Sequence, residues 1–210
     1  SSAFIKRKIF NYKMYLNPRD KGISRTLLLF GERELDHKII LEKVLRKNMN
    51  IFDIGANIGY YVLMESNLIG REGNIIAVEP VPDNINLLKK NLDLNNNSIT
   101  RTFEAAISNN SKKEKFALSS HSNLGHLISE ELNNSLDKEE NQKIINPKII
   151  SIEKLIKKTF CPDLIRMDVE GAEIKILSNL ISLKLKKNPI ICFETHTSRY
   201  QQEKKKNKKK

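Results

Sequence analysis

Residues 50–61 read NIFDIGANIGYY, a short apolar run that meets a glycine-bounded turn and then resumes at helical spacing. Strand, tight loop and helix in that order open a nucleotide-binding α/β unit, with Ile51, Phe52 and Ile54 as the buried strand. Gly55 and Gly59 remove the Cβ where backbone must approach a ligand closely. A dinucleotide loop would read G-x-G-x-x-G. Here Asp53 stands where its first glycine belongs, and Gly55 and Gly59 are spaced G-x-x-x-G. A carboxylate at the mouth of the loop repels a pyrophosphate and attracts a cation. The stretch therefore predicts S-adenosylmethionine, with its ammonium and sulfonium, rather than NAD.

The flanking sequence repeats the theme. Upstream, residues 32–47 carry Leu35, Ile39, Ile40, Val44 and Leu45 at helical spacing, acids early and bases late, which predicts a helix beside the first strand. Before it, residues 3–30 alternate apolar and basic side chains around the turn-rich NPRDKG of residues 17–22, a strand or hairpin ahead of the main domain. Downstream, a helix over 58–68 stops at Gly70, and residues 74–80 form a second strand ending in an acid. Pro82 opens a helix with Ile85, Leu88 and Leu92 inward, and residues 99–107 form a third strand. Such βα repeats predict a mostly parallel central sheet with helices on both faces.

Residues 108–150 are polar, with a short strand candidate at 115–118, and read as a lid or mobile insertion rather than a second domain. Ser151 caps a short helix with Glu153 in its first turn. A fourth strand over 163–169, a helix over 172–186 with Ile174, Leu177 and Ile181 inward, and a fifth strand over 189–194 complete the pattern. The expected organisation is an extension at 1–30, an α/β domain at 31–200 and a disordered Lys-rich tail at 201–210.

The 210 residues, 39% hydrophobic, suit one domain with a sizeable core. The net charge of +12 lies at the ends. Seven Lys/Arg against Asp20 in residues 1–25, and six Lys against Glu203 in residues 203–210, leave +1 for everything between. A nearly neutral middle is no groove for a phosphate backbone, so nucleic acid is not the expected partner, although the basic ends can attract anionic surfaces weakly. Cys161 and Cys192 form no disulfide framework or metal spacing, which points to a reducing, cytoplasmic setting. Cys192, within IICFE, reads as a small core residue. No apolar run reaches the ~18 residues of a membrane span.

Ligands of open parallel sheets lie across the carboxyl ends of the strands. Acids gather there: Asp53, Glu79, Glu104, Asp168, Glu170 and Glu194 all fall at or just past an expected strand end. Glu79 is placed to accept ribose hydroxyls, and Glu104 with Ala105 to line the adenine; each could instead be a solvated acid.

The series DIGANIG, AVEP, IRMDVEGAE and CFETH resembles the FkbM-like family of S-adenosylmethionine-dependent methyltransferases over about residues 31–196. The D-V-E-G block is its distinctive part. The resemblance implies the Rossmann-like class I methyltransferase fold and methyl transfer to a hydroxyl of a sugar, glycan or secondary metabolite, with S-adenosylhomocysteine as product. It implies that Asp53, Gly55, Ala56, Asn57, Gly59 and Glu79 hold the cofactor. Two departures stand out. Arg166 replaces a frequent Lys, and a polar tail follows the fifth strand where the family adds further strands, so the sheet is expected to be truncated at that edge.

Methyl transfer to oxygen needs an aligned acceptor, exclusion of water and a proton acceptor. The base candidates are Asp168, Glu170, His126 and His196, of which His196 follows the fifth strand. Asp168 and Glu170 either orient the acceptor hydroxyl or hold a divalent cation, though no metal is predicted; alternatively Asp168 caps a turn and Glu170 meets Arg166. Two other functions fit less well: an RNA methyltransferase, and a cofactor-binding but catalytically silent interaction module. Oligomeric state is not encoded in any feature of the sequence.

Overall fold

The structure, a computed structural model, describes residues 3–108, 115–118, 125–128, 143–169 and 172–194. An antiparallel hairpin of β1 (Ile5–Ile9) and β2 (Tyr12–Leu16) precedes helices α1 (Ile23–Phe30) and α2 (Leu35–Val44). The alternating part follows: β3 (Asn50–Ile54), α3 (Tyr60–Ile69), β4 (Asn74–Glu79), α4 (Pro82–Leu94) and β5 (Thr100–Glu104). Short strands come next, β6 (Ala106–Ile107), β7 (Lys115–Leu118), β8 (Gly125–Ile128), β9 (Lys143–Ile145) and β10 (Ile149–Ile150). The chain then runs through α5 (Ile152–Lys158), β11 (Leu164–Met167), α6 (Glu173–Ser182) and β12 (Ile190–Phe193).

Five strands make the central sheet in the order β12-β11-β3-β4-β5, and every neighbouring pair is parallel. Both faces are covered, which is why β3, β4 and β11 are apolar almost throughout. Successive strand residues point to opposite faces. Ile51, Ala77 and Leu164 join a core with the hairpin, α2, α3 and α4, while Phe52, Ile76 and Ile165 join one with α5 and α6. The α/β class with a parallel sheet is thus the fold adopted. Among the described residues β12 is an edge strand, and no helix is long and apolar enough to cross a membrane.

The hairpin is bound into the domain. Ile9, Met14 and Leu16 are fully buried. The Asn91 amide on α4 accepts from Tyr15 N–H at 2.6 Å and donates to the carbonyls of Tyr15 and Ile58 at 3.3 and 2.9 Å. Asn95 does the same with Lys13, accepting at 3.0 Å and donating at 2.7 Å. Two side-chain amides act here as a substitute strand for the open edge of β2.

Four expectations need correction. Within the stretch 3–30 read as a strand or hairpin, residues 23–30 form the helix α1. In α2 the buried residue is Leu41, with Leu45 just beyond, whereas Leu35, Ile39 and Ile40 are 44%, 47% and 46% exposed. In α6 the inward residues are Ile176 and Leu180, following Ala172, while Ile174 and Ile181 are 43% and 85% exposed. Both helices carry adjacent apolar residues that permit two stripes of equal spacing, and packing chooses between them. The third strand divides at Ala105 into β5 and β6, the latter pairing with β10 instead of the central sheet. The Ser151 cap is present, its hydroxyl accepting from Lys154 N–H at 3.2 Å.

Candidate functional site

The loop from β3 to α3 is bent by three residues of positive φ, Gly55 at 88°, Asn57 at 49° and Gly59 at 92°. Its start is tied across the sheet, with Gly55 and Ala56 N–H both donating to the Val78 carbonyl at 2.9 and 3.0 Å. A Cβ on Gly55 would lie 2.0 Å from the Asp168 carbonyl oxygen, and one on Gly59 would lie 2.5 Å from Leu88 Cδ1. The glycines therefore admit the protein's own atoms, the end of β11 and the flank of α4, and not first of all a ligand.

Glu79, at the end of β4, closes this bend. Its Oε2 accepts from Asn57 N–H at 2.9 Å, and its Oε1 accepts from Val81 N–H at 3.0 Å and Asn84 Nδ2 at 3.3 Å. The residue is 4% exposed. Burial pushes its pKa up to about 7 against these three donors, which favour the carboxylate. Glu104 lies beside it in register, exposed at the end of β5, and the buried Ala105 donates to the Glu79 carbonyl at 3.3 Å.

Asp53 differs from expectation. It lies inside β3, fully buried, and does not stand at the mouth of the loop. Its Oδ1 accepts from Arg166 Nη1 at 3.0 Å, and Arg166 Nη2 reaches Asp168 Oδ2 at 3.4 Å. The guanidinium lies 3.7 Å from the centroid of the Tyr61 ring. Burial raises the Asp53 pKa, with Arg166 opposing. Burial alone would depress Arg166, but Asp53, Asp168, Glu65 and Tyr61 hold it further up. The charge of Asp53 is met by the chain's own arginine, so the simple repulsion argument from sequence does not stand. What remains open is subtler: Asp53 Oδ2 and Asn57 Oδ1 are buried acceptors without a hydrogen-bond partner among the described residues. Unmet acceptors in a bend fit a ligand that brings hydroxyl or ammonium donors.

A second cluster, which the sequence reading missed, adjoins Arg166. Glu34, in the left-handed region at φ 50°, precedes α2 and takes the Arg33 guanidinium and the Tyr61 hydroxyl on its two oxygens. Burial pushes Glu34 up, but Tyr61, Arg33 and His37 together bring it below the ordinary range. His37 Nδ1 lies 3.1 Å from Tyr61 Oη. Glu34, His37 and Glu194 each offer a ligand atom within 4.8 Å of the others. Between α2 and the ends of β11 and β12 is a cavity of about 260 Å³, lined by His37, Ile40, Leu41, Arg166, Met167, Ile191, Cys192, Phe193 and Glu194. No spacing in the sequence marks this group, because it joins α2, α3 and β12 only in space.

The structure brings together Asp53, Gly55, Ala56, Asn57, Gly59 and Glu79, with Asp168 against Gly55 and Glu104–Ala105 alongside. Glu170 and His196 lie outside the described residues, and His126 falls in β8.

A family model for the methyltransferase FkbM domain matches residues 53–208. No curated protein matches the chain. Among solved structures, the precorrin-6y C5,15-methyltransferase of Geobacter metallireducens is 15% identical with a TM-score of 0.47, over 77% of this chain and 62% of its own. The methyltransferase FkbM of Methylobacillus flagellatus is 19% identical with a TM-score of 0.42, over 64% of this chain and 30% of its own. The TYW2 protein of P. horikoshii, solved with MeSAdo, is 18% identical with a TM-score of 0.41, over 50% and 37%. The chain thus spans less than two thirds of each.

Proposed function

Because the chain belongs to the FkbM methyltransferase family, we propose that it moves the methyl group of S-adenosylmethionine to a hydroxyl oxygen on a sugar, glycan or secondary metabolite, releasing S-adenosylhomocysteine. The observation that carries the cofactor assignment is the bend closed by Glu79, with the unmet Asn57 oxygen in it and that of Asp53 in the strand leading to it. A carboxylate has about four acceptor positions, and three donors leave room on Glu79 for a ribose hydroxyl.

When bound, S-adenosylmethionine supplies an activated methyl on a sulfonium. The chain's residues then orient and exclude water. Glu79 holds the ribose, and Ala105 with Glu104 borders the adenine. Arg166 fixes Asp53 and Asp168, so Asp168 borders the acceptor side with its orientation set. Glu170 stands as the partner of Asp168, and His196 as one candidate proton acceptor. Full turnover in excess chelator would leave Asp168 and Glu170 an orienting role alone and remove the cation version.

Calorimetry tests the assignment directly. S-adenosylhomocysteine should bind in the micromolar range while NAD gives no heat. Binding of NAD in preference would overturn it. The nearly neutral middle of the chain and its 6% aromatic content disfavour an RNA acceptor, since single strands are held by stacking platforms along basic grooves.

A further inference from the structure

The cavity between α2 and the ends of β11 and β12 is linked to the glycine bend through Arg166 and Asp168. Asp168 touches both regions: its carbonyl seats Gly55, and its carboxylate meets Arg166, which lines the cavity. A donor on the bend and an acceptor in the cavity would meet over this one wall. The cavity has apolar sides, Leu41, Met167 and Ile191 among them, and polar groups at His37 and Glu194. That combination suits a ligand with an apolar face and several hydroxyls.

The protons around His37 can be assigned from its partners. Tyr61 Oη donates to Glu34 Oε2, because a carboxylate that is held below its usual range has no proton to give. The same phenol oxygen lies 3.1 Å from His37 Nδ1, and with its own proton committed it can only accept. In the neutral ring Nδ1 is therefore the nitrogen that carries hydrogen, and the lone pair is on Nε2. Every neighbouring element contributes to this setting: Glu34 and Arg33 before α2, Tyr61 on α3, Arg166 on β11 and Glu194 just past β12.

We propose that this cavity is the acceptor site for a polyhydroxyl compound and that His37 Nε2 is the proton acceptor, with Tyr61 and Glu34 as positioning residues. The inference rests on the methyltransferase reading. In the step, the acceptor oxygen bonds to the methyl carbon as the carbon–sulfur bond breaks, its electron pair going to sulfur. The hydroxyl proton passes to Nε2, giving an imidazolium whose Nδ1–H stays on Tyr61. Glu194 accepts from a neighbouring hydroxyl.

The test uses the full chain with ¹⁵N-labelled histidine, saturated with S-adenosylhomocysteine, and p-nitrophenyl β-glucoside as the probe. His37 should show the Nδ1–H form, Tyr61→Phe should scramble the two neutral forms, and the probe should shift Nε2 at millimolar concentration. Ile191→Trp should abolish the probe shift and leave S-adenosylhomocysteine affinity within twofold. Where any acceptor turns over, His37→Asn should lower kcat at least 100-fold with the same cofactor affinity. An Nε2–H form in the wild type, or a probe that leaves His37 unmoved, would overturn the proposal. So would micromolar Mn²⁺ broadening His37, since the nitrogen would then be a metal ligand. Failure of S-adenosylhomocysteine to bind at all would instead overturn the methyltransferase reading.

Discussion

Gly55 is set by its neighbour, Asp168. Alanine there would put a methyl group 2.0 Å from a carbonyl oxygen in a conformation that side chains avoid. Gly55→Ala should therefore cost about 2–5 kcal/mol in urea denaturation, through strain added to overpacking. Glu79 makes a different prediction. Its raised value, about 7, means that it ionises within the physiological range, and the carboxylate is the better acceptor of a ribose hydroxyl. Affinity for S-adenosylhomocysteine should rise as pH increases from 5.5 to 8. In Glu79→Gln it should be weaker by tenfold or more and nearly flat with pH. A flat wild-type profile by calorimetry would remove Glu79 from the ribose. At this scale the sequence disclosed that Glu79, Glu104 and Asp168 end or follow strands, because that follows from counting along apolar runs, but it put Asp53 at a loop mouth when it lies within β3. It did not disclose that Asp53 is paired, since the partner is 113 residues away. Nor did it disclose His37, which becomes notable only beside Tyr61 and Glu194.

Whole elements were legible where one signal was unambiguous. Pro82 at the first helical turn, with Ile85, Leu88 and Leu92 inward, leaves α4 a single phase, and that is the helix observed. α2 and α6 offered two phases, and only tertiary packing distinguishes them. The helix α1 falls in the stretch 3–30 that the sequence read as a strand or hairpin, so only the β1–β2 part of that reading stands. The joint between β2 and α4 depends on two amides more than on apolar area at its rim. Asn91→Ala leaves the Tyr15 amide and two carbonyls without their partner, so it should destabilise by about 1–3 kcal/mol. Hydrogen exchange at Tyr15 should accelerate before exchange in β3 or β4; equal protection in the variant would show that the hairpin is held by packing alone.

For the molecule as a whole, buried carboxyls shape its response to pH. Glu65 on α3 is fully buried, and neither of its oxygens has a hydrogen-bond partner among the described residues. Burial first, then Asp53, pushes it well above 4.5, with Arg166 opposing. Glu79 is raised in the same direction. A raised carboxyl holds its proton in the folded chain after the unfolded chain has lost it. Stability from these two groups is thus complete below 4.5 and declines as pH rises, through about 7 for Glu79. Glu65→Met should raise stability by about 1–3 kcal/mol at pH 7.5 and by less at pH 5, read from urea midpoints. Equal gains at both values would show that Glu65 does not titrate with folding.

The position of β3 between β4 and β11 has a consequence for how the protein is made. Translation delivers the central strand early, but the strand that closes its other side, and the guanidinium that matches Asp53, emerge only after another hundred or so residues. Until then a nascent chain exposes one edge of its innermost strand and carries an uncompensated acid within it. Ribosome-bound intermediates that stop short of Arg166 should accordingly need chaperone shelter, and closure of the sheet over so long an intervening segment sets the pace of refolding.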